Sequence, residues 1–126
     1  MIGIIDIGVG NTVSLKSSLL QIGVYPLSVR NRTDLFSCTH VIMPGVGHFD
    51  SVIKALHKVD LFDPLLEYIQ LSEKKYLGIC VGMQLMASHG LEHGTTDGFN
   101  WIKGDVEHIA PSDSNLKIPH MGWNEL

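Results

Sequence analysis

Short apolar runs alternate along this chain with stretches that have helical spacing. The apolar runs are Met1 to Asp6, Tyr25 to Val29, His40 to Met43 and Tyr76 to Ile79. Helical spacing follows at Thr12 to Ile22, around Val52, Ile53 and Leu56, around Leu65, Leu66 and Ile69, and at Val81 to Ser88. Strands that alternate with helices form βαβ units. The sequence therefore predicts an α/β fold, with a mainly parallel open sheet flanked by helices on both faces.

Local signals predict where some of these elements begin and end. Gly23 is expected to close the first helix as its C-terminal cap. Asp63-Pro64 is expected to open a later helix, as an N-cap followed by proline at the first helical position. After Gly90 the pattern changes: residues 94–100 are typical of a loop, and residues 104–109 alternate as a half-exposed strand does.

Composition excludes several classes of function. The chain has 126 residues and a net charge of −4, so it fits one globular domain without a basic surface for nucleic acid or anionic membranes. No apolar run reaches the roughly 20 residues that span a bilayer, and the N-terminus lacks the basic segment of a signal peptide. The two cysteines, Cys38 and Cys80, form neither a metal-ligand spacing nor a disulfide framework. We expect a cytoplasmic protein that uses no metal or other cofactor.

The glycines after the first strand raise the possibility of a dinucleotide site. Gly8 and Gly10 have the required spacing, but Val13 occupies the third glycine position. The acidic residue expected about 20 residues further on is absent, and Arg30 lies near that position. The nucleotide hypothesis therefore fails, and a tight turn at the carboxyl end of a strand remains.

The stretch LGICVGMQ, residues 77–84, has the layout of a nucleophile elbow with cysteine in place of serine. A sharp turn between strand and helix crowds the positions two residues before and after Cys80, and both are glycine, Gly78 and Gly82. A helix N-terminus there would favour the thiolate, and the N–H of Val81 would face a developing oxyanion. Cys38 has no such frame and is expected to be a small packed residue.

A second glycine loop, Pro44-Gly45-Val46-Gly47, follows the third apolar run. Such a loop can turn its backbone N–H groups toward a ligand, because glycine lets the chain approach closely. Taken alone, it is better explained as a simple turn between a strand and a helix.

Together these motifs resemble the class I, triad-type glutamine amidotransferases, whose fold is a flavodoxin-like three-layer arrangement. The opening IDIGVGN and the closing IPHMGWNEL narrow the resemblance to the glutaminase subunits of imidazole glycerol phosphate synthase, an enzyme of histidine biosynthesis. The likeness runs from Met1 to Leu126, so residues 1–126 are expected to form one glutamine amidotransferase type 1 domain that is incomplete at its C-terminus. Ile7, Val9 and Val81 depart mildly from the residues that are usual in the family.

The resemblance implies a role for each matching residue. Cys80 would attack the side-chain amide of L-glutamine, and Val46, Gly47 and Val81 would form the oxyanion hole. Gly45 and Gln84 would hold the substrate. Ammonia would then pass to a cyclase subunit. The surface facing that partner would include Asn11, with Asp6 nearby, and His120, Met121, Trp123 and Asn124; ordinary packing is the alternative for Trp123.

The family also uses a general acid, a histidine followed two residues later by a glutamate. None of the seven histidines of this chain is followed by glutamate at that position. We therefore expect an N-terminal fragment with little or no glutaminase activity of its own. Two alternatives stay open: a catalytically silent module that keeps the partner surface, or the glutaminase of a paralogous pathway. A different cysteine enzyme on a similar sheet leaves the closing segment unexplained.

Overall fold

The computed structural model describes residues 1–112, 115–119, 121–123 and 125. Its main sheet consists of four parallel strands in the order β2-β1-β3-β4. The strands are β1 (Ile2–Ile5), β2 (Leu27–Val29), β3 (His40–Gly45) and β4 (Lys75–Cys80). All four lie within or extend the apolar runs of the sequence, so the predicted parallel sheet is confirmed.

Five helices accompany this sheet in the described part of the chain. They are α1 (Thr12–Gln21), α2 (Arg32–Ser37), α3 (Phe49–Lys58), α4 (Phe62–Ile69) and α5 (Val81–Gln84). Helices α2, α3 and α4 bury apolar side chains against one face of the sheet, because their apolar residues recur at helical spacing. The core cluster includes Ile5, Val41 and Met43 from the strands, with Leu35, Phe49, Val52, Leu56, Leu65 and Tyr68 from the helices.

The opposite face of the sheet is covered less completely. Ile4, Ile42 and Leu77 are register partners across β1, β3 and β4, so their side chains share this face. Ile4 and Ile42 are buried, whereas Leu77, on the edge strand, is 55% exposed. Helix α1 buries none of its residues. The sheet therefore has one well-packed face, and the outer part of the other face meets solvent at β4.

A second, smaller sheet follows α5. It contains β5 (His89–Gly90), β6 (Thr96–Asp97) and β7 (Asp105–Val106) in the order β6-β5-β7. Strands β5 and β6 are antiparallel and form a hairpin over residues 89–97. The alternation predicted for residues 104–109 thus yields two strand residues, and the predicted loop at 94–100 contains β6.

Three helix predictions differ from the structure. Helix α2 was not predicted, although Asn31 caps it by accepting the N–H of Asp34 at 3.0 Å. Helix α4 begins at Phe62 after an N-cap at Leu61 that makes no side-chain hydrogen bond, so the predicted Asp63 cap is wrong. Pro64 is tolerated in the first turn because an N–H there has no partner within the helix.

Helix α5 is shorter than predicted, ending at Gln84 and not at Ser88. The carbonyls of Leu85, Met86 and Ala87 accept backbone N–H groups from residues 99–102 at 2.7–3.0 Å. These hydrogen bonds join the segment after α5 to residues 99–102, and the chain does not continue as a helix. The C-cap of α1 is Ile22, one residue before the predicted Gly23. Gly23 follows it with φ +80°, and its N–H donates to the Leu20 carbonyl at 3.0 Å. Among the residues that the structure describes, none of the helices is long and apolar enough to cross a bilayer.

Candidate active site around Cys80

Cys80 lies at the joint between β4 and α5 with its surface exposed to solvent. Its backbone has φ +55° and ψ −120°, a conformation that residues with a side chain rarely adopt. In the described ranges, Asp60 and Asn100 are the only other non-glycine residues with a positive φ. A strained backbone at an exposed cysteine is the geometry of a nucleophile held at a sharp turn.

Three glycines make this turn possible by letting β3, β4 and α5 approach closely. A Cβ added at Gly82 would overlap the carbonyl oxygen of Met43, and one added at Gly78 would overlap the carbonyl of Gly82. A Cβ at Gly45 would come within 2.5 Å of the Gly82 nitrogen. In each case the obstacle is backbone, which cannot move aside as a flexible side chain can. The structure thus gives the physical reason for glycine two residues before and after Cys80.

A partly buried hydrogen bond also supports the turn. The hydroxyl of Tyr76 donates to the Gly82 carbonyl at 2.7 Å. Its ring packs edge-on against Trp101, with centroids 4.9 Å apart, and against Phe99 at 6.1 Å. Burial raises the pKa of the Tyr76 phenol, so the hydroxyl keeps its proton and remains a donor.

The segment Pro44-Gly45-Val46-Gly47, which we call the glycine loop, leaves the sheet beside Cys80. Parallel pairing of β3 with β4 makes Gly45 the register partner of Cys80. Val46 is 61% exposed. Gly47 has φ +93°, and a Cβ added to it would meet open space. The exposed part of the loop and the thiol are therefore neighbours at the carboxyl edge of the sheet, where α/β proteins keep their sites.

The other predicted site residues on α5 have different environments. Val81 is buried and begins the helix, whereas Gln84 is half-buried and ends it. With four residues, α5 supplies only a short dipole, so the expected helix-dipole assistance to the thiolate is weaker than the sequence suggested. Cys80 differs from Cys38 in its exposure and in its strained position in the turn, and these features do not depend on the helix.

Glu92 is a residue near the glycine loop that the sequence analysis missed. Its carboxylate accepts the backbone N–H of Phe49 at 3.0 Å and lies 3.8 Å from Nδ1 of His48. His48 and Phe49 directly follow the glycine loop, whereas Glu92 comes from the turn of the β5–β6 hairpin. The sequence carries no local signal for this contact, because 43 positions separate the two partners.

His48 also precedes Asp50 by two residues, so one histidine of the chain does have an acidic residue at that spacing. The two side chains are not paired in the structure. Asp50 instead binds Lys54 at 2.9 Å and lies 3.6 Å from His93. The hydrogen bond from Lys54 is the main cause that lowers the pKa of Asp50. The pair therefore does not reproduce a histidine oriented by a following carboxylate.

The residues expected near a partner fall into two groups. Asn11 caps α1 by accepting the N–H of Ser14 at 3.1 Å, and Asp6 forms an ion pair with Arg30 at 2.7 Å. Met121 and Trp123 are almost fully exposed, with relative exposures of 88% and 103%. His120 and Asn124 lie outside the described residues. A partner-facing role for these residues stays a prediction.

Cys38 is a packed residue, as predicted. It is fully buried in the core cluster, and burial is the main cause that raises the pKa of its thiol. The hydroxyl of Tyr68 and the ammonium of Lys74 both donate to its backbone carbonyl, at 3.3 and 2.7 Å. Over the described ranges, His, Cys, Asp and Glu side chains form no group of three that could hold a metal ion.

Comparison with known proteins finds both related sequences and a related fold. A model of the SNO glutamine amidotransferase family matches residues 9–110. The imidazole glycerol phosphate synthase subunit HisH of Rhodopseudomonas palustris is 43% identical over 99% of this chain and 61% of its own length. The subunits HisH of Zymomonas mobilis and Leptospira interrogans are 40% and 41% identical, over 99% and 100% of this chain.

The chain thus spans only 61–62% of the length of these curated relatives. A solved structure described as that of a glutamine amidotransferase superposes with a TM-score of 0.64 and 20% identity. The superposition covers 73% of this chain and 48% of the other, and it supports the fold alone. The superposition therefore agrees with the α/β fold of the main sheet, and the sequence matches extend over nearly the whole chain.

Proposed function

The chain belongs to the SNO glutamine amidotransferase family, and on that premise we propose that Cys80 is the nucleophile of a glutaminase. The substrate is L-glutamine, and the products are glutamate and ammonia. The observation that carries the proposal is the exposed Cys80 with φ +55° beside the glycine loop, as register partner of Gly45.

In the proposed reaction the Cys80 thiolate attacks the amide carbon of glutamine, forming a C–S bond as the carbonyl electrons move onto oxygen. Backbone N–H groups at Val46 or Gly47 and at Val81 stabilise this oxyanion, while Gly45 and Gln84 hold the substrate. Collapse breaks the C–N bond, and the nitrogen leaves as ammonia after taking a proton. Water then attacks the γ-glutamyl thioester, releasing glutamate and restoring the thiol.

The proton for the leaving ammonia needs a general acid, because the amide anion is a poor leaving group. In the family that the sequence resembles, this acid is a histidine followed two residues later by glutamate, and the chain has no such pair. His48 is followed by Asp50 at that spacing, but Asp50 binds Lys54 and not His48. The chain alone is therefore expected to release little or no ammonia.

We further propose that the chain acts with a cyclase subunit of imidazole glycerol phosphate synthase, in histidine biosynthesis and in the cytoplasm. Names of relatives at 40–43% identity support this assignment. The exposed side chains of Met121 and Trp123 suit a partner surface, since aromatic residues often anchor interfaces. Asn11, His120 and Asn124 are the other proposed partner residues.

Intact-mass measurement after incubation with an electrophilic glutamine analogue tests the nucleophile. We expect one adduct that maps to Cys80 and disappears in Cys80→Ser. The same reagent should leave the buried Cys38 unmodified, so Cys38→Ser is the matched control and should label as the wild type does. No adduct on Cys80, under conditions where iodoacetamide modifies it, would overturn the proposed substrate.

A second candidate is a catalytically silent module that binds the cyclase. Such a module would form the complex equally well with Cys80→Ala and would release no ammonia. Supplying a C-terminal segment with His-x-Glu together with the cyclase separates the two candidates. Ammonia release that depends on Cys80 supports the glutaminase, and silence with both present supports the binding module.

A further inference from the structure

We propose that Glu92 is a positioning residue that holds the glycine loop in place beside Cys80. The inference rests on the proposed function, because it assigns Glu92 to the loop that carries the oxyanion donors. The loop is anchored at both of its ends, by different parts of the structure.

The upstream end of the glycine loop is held by the main sheet. Pro44 and Gly45 are paired in register with Ile79 and Cys80. Beyond this point Val46 is exposed, and Gly47 has a positive φ that glycine adopts without strain. A segment of this composition needs a second anchor if its peptide groups are to keep one orientation.

The downstream end is held by the β5–β6 hairpin. His48 is the N-cap of α3 but makes no side-chain capping hydrogen bond. The Glu92 carboxylate takes over the capping role, since it accepts the N–H of Phe49, the first residue of α3. A negative charge is also favourable at the N-terminus of this ten-residue helix.

The hairpin and the residue directly after it, Gly98, also pack against the Phe49 side chain. Phe49 is 1% exposed, and a Cβ added at Gly90 would overlap its ring. A Cβ added at Gly98 would come within 3.0 Å of the same ring. Phe49 is therefore fixed through both its backbone N–H and its side chain, by residues more than 40 positions away.

The histidines of the two segments form an additional contact. The rings of His48 and His93 meet edge to face with centroids 4.5 Å apart. Nδ1 of His93 lies 3.6 Å from Asp50, and Nδ1 of His48 lies 3.8 Å from Glu92. Each segment thus contributes one imidazole and one carboxylate, and all four groups surround the N-terminus of α3.

Hydrogen exchange of the Phe49 amide, followed by NMR without ligand, tests the anchor directly. We expect Glu92→Ala to speed this exchange about tenfold, because the amide loses its acceptor. Glu92→Gln keeps an acceptor oxygen and should stay within about threefold of the wild type. Glu107→Ala, at an exposed glutamate, is the matched control. An unchanged Phe49 exchange rate in Glu92→Ala overturns the proposal.

The chemical consequence is measured on Cys80. Alkylation by the electrophilic glutamine analogue should slow about tenfold in Glu92→Ala and recover in Glu92→Gln, whereas alkylation by iodoacetamide should keep its rate. Equal rates of analogue alkylation in wild type and Glu92→Ala overturn the proposal. The exchange of the Phe49 amide is measured without the analogue. A faster exchange in Glu92→Ala therefore cannot result from the loss of a direct contact between Glu92 and the analogue. A wild type that the analogue never alkylates contradicts the proposed function, while the exchange experiment still decides the role of Glu92.

Discussion

The hydroxyl of Tyr76 donates a hydrogen bond to the carbonyl of Gly82, across the turn that carries Cys80. The bond joins the second residue of β4 to the second residue of α5, so it spans the strained Cys80 between them. Cys80 is therefore held by contacts on both sides of the turn: close packing of glycines against β3 and the partly buried hydroxyl of Tyr76.

Removing this hydroxyl tests its contribution to stability. Tyr76→Phe should lower the free energy of unfolding by about 1–2 kcal/mol, because the Gly82 carbonyl loses its donor. Tyr25→Phe is the matched control, since Tyr25 is 82% exposed, and it should change stability by less than about 0.5 kcal/mol. Urea unfolding at neutral pH gives both values. Equal effects for the two variants would contradict a stabilising hydrogen bond from Tyr76 to Gly82.

The raised pKa of Tyr76 predicts how this difference depends on pH. Tyr76 has a pKa of 10 in the unfolded chain and a higher pKa in the folded protein. Its contribution to stability is therefore complete below pH 10 and is lost as the pH rises further. Above pH 10 the wild type should lose about 1.4 kcal/mol per pH unit for this tyrosine. Phenylalanine has no such loss, so the gap between wild type and Tyr76→Phe should narrow in alkaline solution. A gap that stays constant would show that Tyr76 ionises equally in both states.

The glycine packing predicts a severe effect at Gly82. Gly82→Ala should destabilise the protein by about 3 kcal/mol, because the new methyl group overlaps the backbone oxygen of Met43. Gly94→Ala meets open space and only the strain of a positive φ, so about 1 kcal/mol is expected. Chemical denaturation of both variants checks the order. A Gly94→Ala variant as unstable as Gly82→Ala would mean that close packing is not the cause.

The two thiols should differ in reactivity. Cys80 is exposed, whereas Cys38 is fully buried and burial raises its pKa. Iodoacetamide should therefore add one label, on Cys80, to the native protein and two labels in urea. Peptide mapping locates them. Labelling of Cys38 in the native protein at a rate near that of Cys80 would contradict its position in the core.

Two leucines test which parts of the structure are packed. Leu85 is fully buried, so Leu85→Ala should cost about 2–5 kcal/mol of stability. Leu77 is 55% exposed on the edge strand, so Leu77→Ala should cost less than about 1 kcal/mol. Thermal unfolding of both variants distinguishes them. A large loss in Leu77→Ala would mean that this face of β4 is covered in solution.

Much of the main sheet follows from local patterns. The apolar runs at residues 1–6, 40–43 and 76–79 became β1, β3 and β4, because a strand buried in a parallel sheet needs continuous apolar sequence. Cys80 between two glycines was also readable, since the turn demands small residues at fixed spacing. These signals act within a few residues, and the sequence displays them in full.

Only the tertiary structure decided the contacts that join distant segments. Backbone N–H groups from residues 99–102 ended α5 early, and Glu92 capped α3 from 43 positions away. Neither choice has a local signal, because an orphaned helix carbonyl or N–H accepts any partner that the fold brings within reach. The sequence by itself therefore determined the strands of the main sheet and the turn at Cys80, the residue proposed as the nucleophile. The way in which the glycine loop is held beside Cys80 depended on long-range hydrogen bonds and packing, which only the tertiary structure brings together.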